Sequence, residues 1–120
     1  MPTQKTVRVQ GTFEILDSTG TPEAKKVFNN VMQVTEATQV FPQTLPGNTL
    51  NSQISFGGVT LAKRIFLRVS FPVTVKFNQS TDTGFSVGVG DNLLMSDNGI
   101  TALFISTGPN PTDVEAIIVG

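Results

Sequence analysis

Residues 64–78 read RIFLRVSFPVTVKFN, and their spacing limits the fold more than any other stretch. Ile65, Leu67 and Val69 alternate with Phe66, Arg68 and Ser70. Beyond Phe71 and Pro72, Val73, Val75 and Phe77 alternate with Thr74, Lys76 and Asn78. Side chains two apart on a strand point the same way, so the pattern predicts half-buried β-sheet, with the two strands paired. One face is given to packing and the other to polar surface. No reaction is implied.

The same grammar extends along the chain. Residues 5–16 (KTVRVQGTFEIL) form a predicted strand with Val7, Val9, Phe13 and Ile15 on one face. Gly11 sits on that face as a bulge or a point of close packing. Residues 17–20 (DSTG) are a turn. Residues 21–36 admit two readings. Thr21 as N-cap, Pro22 at the first helical position and Ala24, Val27, Phe28, Val31 and Met32 at helical spacing favour a short helix near 22–32. The Asn29-Asn30 pair and the Val and Thr content favour a strand, which the all-β surroundings prefer.

Residues 40–51 carry Pro42, Pro46 and Gly47 and read mostly as loop. Short strands are expected at 52–56, 84–89, 100–106 and 114–119. Leu93-Leu94-Met95 is an apolar run between Asp91-Asn92 and Asp97-Asn98-Gly99 turns. Seven or eight short strands separated by Gly, Pro, Asn and Asp predict an all-β fold, a single antiparallel β-sandwich of jelly-roll type spanning 1–120. A chain of 120 residues fits one domain with its own core.

Composition removes most chemistry. There is no histidine, so the usual general base and the nucleophile–His pairs are missing. There is no cysteine, so disulfides and thiolate metal sites are excluded. Trp and Tyr, the usual platforms for sugar stacking, are also absent. The nine Phe fall mostly at strand positions, as core residues do. Asp91 and Asp97 are close in sequence, yet they lack calcium-loop spacing and read as hairpin residues. GFSVGVG at 84–90 has no following Lys-Ser/Thr and alternates as a strand, so its glycines serve sheet packing rather than a phosphate. Lys63, Arg64, Arg68 and Lys76 with Phe66 offer a basic stripe of the kind single-strand binders use. A net charge of −1 speaks against nucleic acid and against an anionic membrane. We therefore expect no enzyme, and no catalytic, cofactor-binding or metal residue is assigned.

Charge is unevenly distributed. Residues 1–76 hold all eight bases against four acids, while residues 77–120 hold five acids and no base. Neutralisation between neighbouring strands explains this plainly. A bipolar surface docking on further copies is the sharper reading. The first ten residues contain no apolar signal segment, and no stretch is apolar over the ~18 residues a membrane span needs. Synthesis in the cytoplasm without a classical signal is the expectation.

From about Lys25 onward the chain resembles the small β-sandwich virion proteins of tailed bacteriophages. The likeness lies in an order of elements: KKVFNNVMQVT, a loop, AKRIFLRVSFPVTVKFN as a hairpin-like run, a Gly-containing strand, an Asp-Asn-Gly turn, ITALFIST, and a closing DVEAIIVG. The resemblance implies a structural role in the virion, as a capsid decoration or cement protein or a tail, baseplate or head-fibre component. A major capsid or tail protein would then be the partner, and unprotected sheet edges independently favour self-association as a trimer or larger ring. The likeness carries no catalytic residues. A glycan- or receptor-binding sandwich is the alternative from another class. Exposed sheet edges and a weakly charged, Thr-rich surface fit repeated protein contacts independently of the likeness.

Overall fold

The computed structural model describes residues 4–120, apart from the side chains of Phe41, Asp97 and Asn98. The chain divides into two compact units, one up to residue 35 and one over Glu36–Gly120. The sandwich thus occupies the second unit rather than residues 1–120, and ten strands replace the seven or eight expected.

The first unit is a β-ribbon. Strands β1 (Lys5–Leu16) and β2 (Pro22–Val34) pair antiparallel from Lys5↔Val34 to Ile15↔Ala24, with a register shift beside Leu16. The turn between them is built by Asp17. Its Oδ1 accepts from Thr19 N at 2.9 Å, Thr19 Oγ1 at 2.7 Å and Thr21 N at 3.0 Å. Its backbone carbonyl accepts from Gly20 N at 3.0 Å, and its N–H donates to Thr21 O at 2.9 Å. Gly20 lies at φ +87°, the left-handed position that closes a three-residue hairpin loop.

The helix weighed over 22–32 is replaced by β2, and the register explains why. Ala24, Phe28, Met32 and Val34 share a face with Val7, Val9, Phe13 and Ile15, whereas Val27 and Val31 fall on the opposite face. The helical spacing was a superposition of two faces, each with a period of two.

The second unit is an eight-stranded sandwich. Its strands are β3 (Ala37–Leu45), β4 (Ser52–Ile54), β5 (Ala62–Val69), β6 (Val73–Phe77), β7 (Phe85–Val87), β8 (Gly90–Ile100), β9 (Leu103–Thr107) and β10 (Thr112–Val119). They form two antiparallel sheets, ordered β3-β10-β5-β8 and β4-β9-β6-β7. Apart from β6 and β7, strands consecutive in sequence lie in opposite sheets, and the first strand neighbours the last. That ordering is the double-sheet jelly roll. Gly120 N donates to Glu36 O at 3.1 Å, so the sandwich ends beside its own beginning.

One core joins both sheets. Ile65, Leu67 and Val69 of β5 and Val114, Ala116 and Ile118 of β10 meet Val73 and Val75 of β6 and Leu103 and Ile105 of β9, all buried. The alternation at 64–78 is real, but β5 and β6 do not pair. The chain crosses between sheets at Ser70-Phe71-Pro72, where Ser70 N donates to Asp113 O at 3.1 Å and Asp113 N donates to Ser70 Oγ at 2.8 Å. Proline at this bend removes no ladder hydrogen bond.

Two further expectations are corrected. Residues 40–45, read as loop, belong to β3. An edge strand tolerates Pro42, and the register shift opposite Val114/Ala116 absorbs the irregularity. Asp91-Asn92 is not a turn but the start of β8, and Asn92 Nδ2 donates back to Gly88 O at 3.0 Å. The Asp97-Asn98-Gly99 stretch lies where β8 loses register with β5, between Ala62 and Arg64. Gly99 adopts φ +82° there. The next strand begins at Leu103, after the chain has crossed sheets at Thr101-Ala102. Asn78, at φ +67°, holds that crossing. Its Oδ1 accepts from Thr101 N at 2.7 Å and Thr101 Oγ1 at 3.0 Å, and its N–H donates to Ala102 O at 2.8 Å.

Candidate interaction surface

The residues weighed for chemistry are structural where they are described. Asp91 Oδ1 accepts from Arg68 Nε at 2.6 Å, and Arg68 Nη1 lies 3.8 Å from Glu115 Oε1. The hydrogen bond that Arg68 donates to Asp91, the charge of Asp91 and that of Glu115 hold the Arg68 guanidinium above its ordinary pKa. Asp113 Oδ1 accepts from Thr44 Oγ1 at 2.6 Å. Arg68, Asp91, Asp113 and Glu115 line an open groove of about 380 Å³ with Pro42, Ser70 and Gly90, but each of these acids already has a protein partner. Among the described residues, no group of acids is placed to hold a metal ion. The side chain of Asp97, the second acid weighed with Asp91, lies outside the described residues.

The basic stripe does not assemble. Arg64, Phe66 and Arg68 share one face of β5, with Arg68 5.5 Å from the Phe66 ring centroid. Lys76 belongs to the other sheet, where its Nζ donates to Ser80 O at 3.1 Å. Among the glycines of 84–90, Gly84 has a packing role: a Cβ there would come 2.6 Å from Thr74 Cγ2 and 2.9 Å from Val75 O on β6. Phe85 beside it packs edge-on against Phe77, with centroids 5.3 Å apart.

Among the described residues, exposed apolar side chains group on two surfaces, the first on the sandwich. On the outer face of β3-β10-β5-β8, Ile117 pairs with Phe66 and Phe66 with Leu93, so three strands place these side chains in one row. Met95, opposite Arg64, widens the row. Ile117, Leu93 and Met95 are exposed and Phe66 is half-buried. Arg64, Arg68, Asp91 and Glu115 form a charged rim. Apolar side chains grouped inside such a rim are the kind of patch that protein, membrane or ligand contacts use.

The ribbon carries the other. Val7, Val9, Phe13, Ile15, Ala24, Phe28, Met32 and Val34 lie on one face by register, joined there by Lys5, Lys26 and Asn30. Phe13 is 73% and Ile15 54% exposed, and Val27 on the opposite face is 72% exposed. The Phe28 ring lies over its partner Gly11, so close that a Cβ on Gly11 would come 2.9 Å from Phe28 Cζ. Sequence periodicity revealed the apolar face of β1 but not how exposed its side chains are, because alternation reads the same over a core and over solvent.

The fold and these surfaces define an all-β, jelly-roll-type sandwich with a β-ribbon as a second unit. No protein-family model and no curated protein matches the chain.

Proposed function

We propose that this chain is a structural protein of a tailed-bacteriophage virion, a capsid decoration or cement subunit that acts through repeated contacts with itself and with the major capsid protein. The observation that carries this reading is the ribbon. An isolated two-stranded hairpin is marginal in water. A ribbon of twelve residue pairs with apolar side chains exposed on both faces gains stability by being covered, and a covering layer from other chains is the simplest supply. The jelly roll recurs in viral capsid proteins, which supports the reading by analogy of fold. The carboxylates of the groove are engaged with Arg68 and Thr44, which supports a binding rather than a chemical role.

The glycan-binding alternative is less well supported. Among the described residues, the groove beside Asp91 has no aromatic lining, and Phe56, which lines a second groove, is buried. The test is imaging of assembled particles with the chain labelled and its copies counted. Hundreds of copies on the head are expected. A handful in multiples of three or six would move the chain to the tail, and absence from the particle would end the virion reading.

A further inference from the structure

The polypeptide passes from one unit to the other through a single residue. Val34 is still paired with Lys5 in the ribbon, Thr35 follows, and Glu36 is already held by the sandwich. The strand that begins there, β3, is a weak place of attachment. It lies at a sheet edge and pairs with β10 alone. Only four pairs, Ala37↔Val119 to Val40↔Ala116, precede the register shift beside Pro42. Strand ends of this kind are where local opening starts, and an opening ribbon would feed straight into one.

Glu36 is placed to block that path. Its carbonyl accepts from Gly120 N at 3.1 Å, one bond beyond the Ala37↔Val119 pair. Its carboxylate accepts from Thr60 N, 3.1 Å from Oε2, and from Thr60 Oγ1, 3.1 Å from both oxygens. Thr60 stands two residues ahead of β5, the strand on the far side of β10. One residue thus ties the edge strand to its neighbour and to the strand beyond, partly through bonds to a carboxylate, which are the stronger kind. The crossing runs past Gly120, where a Cβ would lie 3.3 Å from Glu36 Oε2 and press on Leu61 O. Gly57 of the same loop fits as closely against β3, since a Cβ there would come 2.7 Å from Thr38 Oγ1. All these contacts lie within the sandwich unit, and none is made by the ribbon. We infer that Glu36 is an insulating clasp: it stops opening of the ribbon from passing into β3, so the ribbon can order on a partner or come apart without unzipping the sandwich. The clasp acts through position alone and does not rest on the virion reading.

The test is amide hydrogen exchange, read by NMR, on full-length chains whose ribbon is broken by Thr12→Pro with Phe13→Pro. Successive N–H groups of a strand point to opposite sides, so one of the two prolines removes a ladder hydrogen bond. Gly120 is the reporter, because its partner is the backbone carbonyl of Glu36, which survives a side-chain substitution. With Glu36 in place, breaking the ribbon is expected to leave the Gly120 and Thr60 amides protected to within about twofold. Adding Glu36→Ala to the broken ribbon is expected to speed exchange at Gly120 about tenfold, the scale of a lost hydrogen bond to a charged group. The same substitution with the ribbon intact should move Gly120 much less, and Glu36→Gln, which keeps an acceptor for Thr60, should restore most of the protection. The Leu67 amide reports whether the sandwich is folded. Its exposure only in the chain lacking both ribbon and carboxylate would be the same coupling carried further. Loss of protection at Gly120 or Leu67 on breaking the ribbon while Glu36 is present overturns the inference. An equal effect of Glu36→Ala with the ribbon intact and broken overturns it too, since Glu36 would then be a local tie and not a barrier.

Discussion

Asp17 shows how much one side chain can organise. Three donors from Thr19 and Thr21 converge on Oδ1, and those hydrogen bonds, the Thr19 hydroxyl first, hold the carboxyl below its ordinary 3.8. A lowered native pKa means that ionised Asp17 favours the closed turn. That contribution is fully present above pH 3.8 and is lost as the pH falls through the lowered native value. A carboxyl-carbon NMR titration should place Asp17 below 3.8, with the amide signals of residues 17–21 moving on the same curve. Asp17→Asn should abolish that movement. DSTG was legible as a turn because Asp and Gly are turn residues for stated reasons. The left-handed Asn78 was not, because its partner Thr101 is distant in sequence and only the crossing between β8 and β9 brings the two together.

Strands were legible where one face is buried and the other wet. The alternation of Ile65, Leu67 and Val69 with Phe66 and Arg68 located β5, and the pattern at 73–77 located β6. Their partners were not legible. Two half-buried strands joined by three residues read as a hairpin, and only the core contacts show that they face each other from opposite sheets. β3 was hidden by Pro42, since an edge position that tolerates proline cannot be recognised before the sheet is known. Because Leu67 is fully buried between the sheets, Leu67→Ala should cost about 2–5 kcal/mol in urea unfolding. Val27→Ala on the ribbon, where the side chain is mostly exposed, should change the same transition by less than about 0.5 kcal/mol.

In the molecule as a whole, the two units have unequal claims to stability. The sandwich has a core drawn from both sheets, whereas the ribbon is a single layer of two strands. Hydrogen exchange should divide the chain accordingly. In dilute solution the amides of residues 5–34 should exchange far faster than those of β5, β6, β9 and β10, and their protection should rise with protein concentration. Equal protection of both units at every concentration would contradict a ribbon that depends on neighbours. A single sandwich over residues 1–120 was the expectation from sequence, whereas the chain divides into two units after residue 35. The division after residue 35 leaves no mark in composition, since the ribbon strands use the same Val, Thr and Phe alphabet as the sandwich.

The hydrogen bond from Gly120 to Glu36 gives the fold a practical handle. A cargo fused after Gly120 would leave the sandwich at the spot where the polypeptide enters it, on the β3-β10 side. A short linker from 120 to 36 should permit the sandwich to be reopened at another loop.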